Sequence, residues 1–276
     1  VAALKFLRGN LDLAWIPVWA SFVQLVSIFI FLGVAVAVLF AYLDGGNFWS
    51  DNPSVSLFLG VCWGVLFLFV MTVVGVFSSA VLLAGCMKRL RGEVGTKREA
   101  WKLVWERKSP LLVWALMLTS FGLIVHALER SHRIIAMIVE FFLNGSFSLA
   151  AYFGLPVLLF KGEGPLQSLK TGIALFGQGW LRAFSVGVFL LIPFFVVMVM
   201  IYLFVAVLGH SFYWPLIIFV IALIVVLSSI TMTLDAVVRG ALYIGLFEKS
   251  ALQGFDADLI EQAIVQRKSK LQKLVF

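Results

Sequence analysis

Residues 88–109, KRLRGEVGTKREAWKLVWERKS, hold 8 of the 21 Lys and Arg residues and lie between two long apolar runs. A segment of this kind stays on the cytoplasmic side of a membrane, so it sets the direction of each span before and after it. The other cations follow the same asymmetry. All but three of the 21 fall in residues 1–13, 88–109, 161–182 or the tail from Lys249. Of the exceptions, Arg130 and Arg133 belong to an opposite loop, and Arg239 stands near the inner end of the last apolar run. The runs themselves are 18 residues or longer, the length that crosses roughly 30 Å of hydrocarbon. With 62% hydrophobic and 13% charged residues and a mean hydropathy of +1.07, a water-soluble domain is excluded.

The expected fold is an all-α membrane bundle of six spans with amphipathic helices on its cytoplasmic face and both termini inside. An amphipathic N-terminal segment, 1–13, precedes a membrane domain over 14–247, and a basic amphipathic tail over 248–276 follows it. The spans are read at about 14–43, 55–87, 111–128, 134–160, 181–208 and 215–246. Trp15 and Trp19 are interfacial anchors of the first span, and Pro17 sits in its first turn, where a missing N–H costs little. The second span holds many small residues, among them Gly60, Gly64, Gly75, Ser78, Ser79 and Gly85, which let another helix approach closely. Pro193 predicts a kink in the fifth. No cleavable signal is expected, because the first apolar run is far too long for an h-region and no small-residue cleavage motif follows it, and a start at Val1 without Met predicts missing N-terminal residues.

Three cytoplasmic surface helices are expected. Thr96 and Glu99 form a T-x-x-E capping box, and Trp101, Val104 and Trp105 share a face, so 97–108 reads as a helix on the membrane surface. A second follows Pro165, with Leu166, Leu169, Ile173 and Phe176 on one stripe. In the tail, Phe255 and Ile260 bracket a cap at Asp256 as a hydrophobic staple, and Arg267, Lys268, Lys270 and Lys273 alternate with apolar residues. Gly92-Glu93 matches Gly162-Glu163 at an offset of 70, a weak internal repeat that points to three hairpins, each followed by a surface helix.

Cys62 and Cys86 lie in one apolar run, about 36 Å apart on a helix, too far for a disulfide, and read as packing residues. Glu140, with Asn144 one turn deeper on its face, is an ionisable group inside a span and therefore a candidate solute path. A Glu near the outer interface, reached by Arg130 or Arg133, is the plainer reading. Asp235 and Arg239 at i, i+4 predict a structural ion pair near the inner boundary. His126, His132 and His210 have no metal-ligand spacing. No nucleophile elbow, P-loop, zinc-protease or dinucleotide motif is present, so neither enzyme nor cofactor chemistry is expected. The net charge of +7 fits anionic lipid headgroups beside the spans better than nucleic acid.

Several stretches resemble an uncharacterised bacterial six-span membrane family known only as a domain of unknown function. They are LAWIPVWAS at 13–21, SSAVLLAGCMKRLRGE at 78–93, LPVLLFKGEGPLQSLKTGIALF at 155–176 and ALYIGLFEKSALQGFDADLIEQAI at 241–264. Ile16 stands before Pro17 where the family has Phe, and the basic tail after Gln266 is longer than its pattern. The resemblance implies a protein of the bacterial inner membrane and carries no catalytic residues over. Two functions are weighed. The first is a non-catalytic component docking lipid or a partner membrane protein, a second copy included, through Lys88, Arg89, Arg91, Lys97, Arg98, Trp101, Trp105 and the four tail cations. The second is a transporter or channel for a small or lipid-like solute, with a path past Glu140, Asn144 and Asp235.

Overall fold

The computed structural model describes residues 9–43, 53–93, 96–129, 145–174, 195, 199 and 213–245, which form helices joined by short turns and include no strand. A 3-10 turn, Leu11–Ala14, leads into α1 (Trp15–Leu43). It is followed by α2 (Pro53–Leu90), α3 (Lys97–Glu106), α4 (Lys108–Glu129), α5 (Gly145–Phe160), α6 (165–174) and α7 (Tyr213–Tyr243). Among the described residues four helices, α1, α2, α4 and α7, are long and apolar enough to cross a membrane, over Asp12–Phe40, Ser54–Leu90, Lys108–Ala127 and Ala222–Tyr243. The chain is a membrane protein. These four correspond to the expected spans one, two, three and six. The fourth expected span is described only from Gly145, and the fifth only at residues 195 and 199. The tail over 248–276, the residues before Gly9 and the kink at Pro193 lie outside the described residues.

The bundle is organised around α2. Its 38 residues make a rod about 57 Å long, nearly twice the roughly 30 Å of a hydrocarbon core, and its halves have different surroundings. Leu57, Phe58, Val61 and Leu66 are exposed, whereas Val81, Leu83, Met87 and Leu90 are completely buried. The buried half is where α1, α3, α4 and α7 all pack against α2. Small residues make that approach possible. Leu13 of the 3-10 turn presses on Gly85, and Gly240 of α7 lies against Met87 and Leu90. On α7, Ser229 and Thr233 each donate a hydroxyl hydrogen bond to a carbonyl one turn back, at 2.7 Å, so neither brings an unsatisfied polar group into the packing.

Lys88 and Arg89 occupy the last turn of α2, where cations favour the helix dipole. Beyond them Gly92 takes a left-handed φ of 82°, and a two-bond stop closes the helix. The Gly92 N–H reaches the Arg89 carbonyl and the Glu93 N–H the Lys88 carbonyl, each at 3.0 Å. Gly162, the residue matched to Gly92 at the offset of 70, has a φ of 69° just past α5. The two copies of Gly-Glu therefore share a left-handed glycine just past a helix.

Two boundaries differ from expectation. The surface helix ends at Glu106 rather than 108, because Arg107 leaves helical geometry (φ −103°, ψ 18°). The next helix then begins at Lys108, three residues before the expected span, with Pro110 in its first turn. In α6 the buried face is made by Ser168 and Gly172, while Leu166 and Ile173 are exposed and Leu169 is half-buried against the core. A side chain at Gly172 would overlap the Ala150 carbonyl of α5, so small residues, not the leucine stripe, seat this helix. Cys86 is buried and Cys62 exposed, which limits the packing reading to Cys86.

Candidate functional site

The cationic end of α2 is tied to its neighbours by charged hydrogen bonds. Arg89 meets Asp12 through both guanidinium nitrogens, at 2.7 and 2.5 Å, and also donates to Asn10 Oδ1 at 2.6 Å. This two-pronged geometry fixes the 3-10 turn to a helix end 77 residues away in sequence. Lys88 Nζ donates to Glu99 Oε2 at 2.9 Å and so holds α3. Thr96 caps α3, accepting the Glu99 N–H at 3.3 Å, as the T-x-x-E spacing predicts. The hydrogen bond from Lys88, and next its charge, hold the Glu99 carboxyl below the ordinary range. The Arg91 guanidinium lies 5.0 Å from the centroid of the Phe160 ring of α5. Lys88, Arg89 and Arg91 thus hold the helices of this end together.

Two other cations, Lys97 and Lys108, face a groove of about 810 Å³ between α1, the buried half of α2, α3 and the start of α4. Trp15 and Trp19, one turn apart on α1, form one wall, and Trp101 and Trp105, one turn apart on α3, form another. All four indoles are half-exposed, from 49 to 64%, so their surface is available to an occupant. Ile16, Ala20 and Ser78 make a buried floor. The Ser78 hydroxyl is consumed by the Gly75 carbonyl at 3.0 Å, which leaves the floor effectively apolar. Lys97 and Lys108 stand in the lining, and no acid does. Lys108 Nζ sits 5.2 Å from the Trp105 ring centroid, a cation–π contact. Arg98 is exposed on α3 outside this lining.

A second polar cluster lies deeper, where α2, α4, α5 and α7 meet. Arg239 Nη2 donates to Asp235 Oδ2 at 2.7 Å across one helical turn, the pair that the i, i+4 spacing predicts. The guanidinium carbon lies 4.1 Å from the centroid of the Tyr152 ring. The Tyr152 hydroxyl donates to the Asp235 backbone carbonyl at 3.5 Å, and among the described residues Arg239 Nε has no hydrogen-bond partner. Beside the cluster a cavity of about 350 Å³ is lined by Arg239, Tyr152, Trp114, Ser79 and small residues such as Gly75 and Gly122.

Glu140, Asn144, Arg267, Lys268, Lys270 and Lys273 lie outside the described residues. Of the expected surface, Lys97, Trp101 and Trp105 come together in the groove. Trp15, Trp19 and Lys108 join them, and sequence reasoning did not place these three in a site. For the two tryptophans the signal was the i, i+4 spacing, repeated at 15/19 and 101/105. Tyr152 was missed as well, since one Tyr in an apolar run has no local signature.

A family described as "Family of unknown function (DUF6159)" matches residues 60–255. The landmark at 13–21 lies outside that range. Those at 78–93 and 155–176 lie within it, as does the fourth as far as residue 255. No curated protein and no solved structure matches the chain.

Proposed function

The chain belongs to this family of unknown function, and from the arrangement at its cationic end we propose a non-catalytic membrane component that docks lipid through its cytoplasmic face. One observation carries the reading: four half-exposed indoles from two helices gather beside Lys97 and Lys108. Tryptophan prefers the headgroup level of a bilayer, and lysine there attracts anionic lipid, each residue contributing about 1 kcal/mol. Helix α3 then lies at the inner surface, its Ala100 and Val104 buried on the bundle and its indoles toward lipid. Six spans, the inner membrane of a bacterium and cytoplasmic termini are parts of the same proposal, supported by the distribution of cations along the sequence. The test is thermal unfolding in lipid nanodiscs. Replacing part of a zwitterionic lipid with phosphatidylglycerol should raise the midpoint, and high salt should remove the rise. An identical midpoint in both bilayers at low salt would overturn the reading.

A second reading, a path for a small or lipid-like solute, is favoured by the cavity beside Arg239. An ionised residue at membrane depth marks such paths often enough to be tested. Vesicles containing the protein would show solute flux that Arg239→Met abolishes.

A further inference from the structure

We propose that the tryptophan-walled groove is a binding site for one anionic phospholipid, with the phosphate between Lys97 and Lys108 and the start of one acyl chain along α1. The proposal rests on the lipid-docking reading above and makes it specific: a single stoichiometric site replaces a diffuse attraction. Three observations select this occupant. The groove, at about 810 Å³, is of the size that encloses part of an extended ligand. Its walls and floor are apolar, and from Trp15 to Val23 they run about 12 Å along α1, enough for the upper part of an acyl chain before it continues into the bilayer.

The third observation is charge. The nearby carboxylates of Asp12 and Glu99 are already engaged by Arg89 and Lys88. Among the described residues neither Lys97 nor Lys108 has a carboxylate within ion-pair distance, and the charge of Lys97 acts on Asp12 only at longer range. Two cations and no acid in the lining call for an anion, and the apolar walls call for that anion to carry a hydrocarbon chain. A phosphate ester with an acyl tail and a net negative headgroup meets both demands. A zwitterionic headgroup would bring its own ammonium against the two lysines.

Native mass spectrometry of the full chain, purified in mild detergent and given equal amounts of phosphatidylglycerol and phosphatidylcholine with matched chains, tests the site. The expected result is one retained phosphatidylglycerol per chain, preferred by about tenfold or more. The pair Lys97→Gln and Lys108→Gln should remove the preference. Val23→Trp and, separately, Ala20→Phe fill the groove without changing charge and should abolish the retained lipid. Val23 is exposed, so its replacement leaves the fold intact even if the Ala20 variant unfolds. If Val23→Trp keeps the preferred lipid while the lysine pair loses it, headgroups are held by surface charge alone. The groove proposal then falls and the docking reading stands. If the wild-type chain does not distinguish the two lipids, both fall.

Discussion

Arg239 is a cation held in the apolar part of the bundle by one carboxylate and one aromatic face, and the two supports can be separated. Its side chain is 16% exposed and that of Asp235 30%, so the pair is mostly but not wholly removed from its surroundings. Asp235→Ala leaves the guanidinium unpaired and should cost on the order of 3 kcal/mol, the low end for breaking a buried pair because the aspartate is partly exposed. Removing both charges with Asp235→Leu and Arg239→Met should recover most of that loss, since an apolar pair has no desolvation to offset. Tyr152→Phe keeps the ring under the guanidinium and should change little. Tyr152→Leu removes it and should cost about 1 kcal/mol. Denaturant unfolding in mixed micelles measures all four. A single Asp235→Ala variant as stable as the double one would show that the carboxylate does not offset the burial of the guanidinium.

Helix α3 is seated by its buried Ala100 and Val104 and tied to α2 by the Lys88–Glu99 ion pair, and the pair makes its docking sensitive to acid. Glu99 has a depressed pKa because Lys88 favours its charged form. Its contribution is therefore complete above the ordinary value of 4.5 and is lost as pH falls through the lower value of the folded chain. The protection of α3 amides, measured relative to their intrinsic exchange rate at each pH, should fall across that acid range in the wild type. In Glu99→Gln it should be lower throughout and lack the acid step. At the helix stop, Gly92→Ala forces a side chain into a left-handed backbone and should cost about 1 kcal/mol of unfolding stability. Much at this scale was legible in the sequence. The T-x-x-E box, the basic stop after α2 and the Asp235–Arg239 turn are local patterns, and each is formed. The face of α6 was not legible, for a physical reason. In water a stripe such as Leu166, Leu169 and Ile173 marks the side that turns inward. Beside lipid, apolar side chains gain little by turning inward, and close packing of Ser168 and Gly172 decides the face instead. The groove was only half legible, because each tryptophan pair is a local signal while their meeting joins α1 to a helix some 80 residues later.

At the scale of the whole molecule, packing and charge are both concentrated at one end. The completely buried side chains of α2 begin near Ala80 and continue to Leu90, next to Lys88, Arg89 and the cationic α3, while the first turns of α2 and the far half of α1 present bare apolar surface. That end is where the Schellman stop, the Arg89 clamp and the groove coincide, so the orientation of the molecule decides which leaflet supplies the lipid. The proposed arrangement puts the cationic end in the cytoplasm, where short loops rich in Lys and Arg remain during insertion. It follows that a cysteine on α3 and a cysteine in the sequence between α1 and α2 must lie on opposite sides. In a background with Cys62→Ser and Cys86→Ala, Asn47→Cys should react with a membrane-impermeant maleimide on intact cells. Arg98→Cys, on the exposed side of α3, should react only after permeabilisation. The reverse pattern would move the groove to the outer leaflet and remove the electrostatic reason for its lipid. Labelling of both on intact cells would mean that α1 and α2 do not cross as a pair.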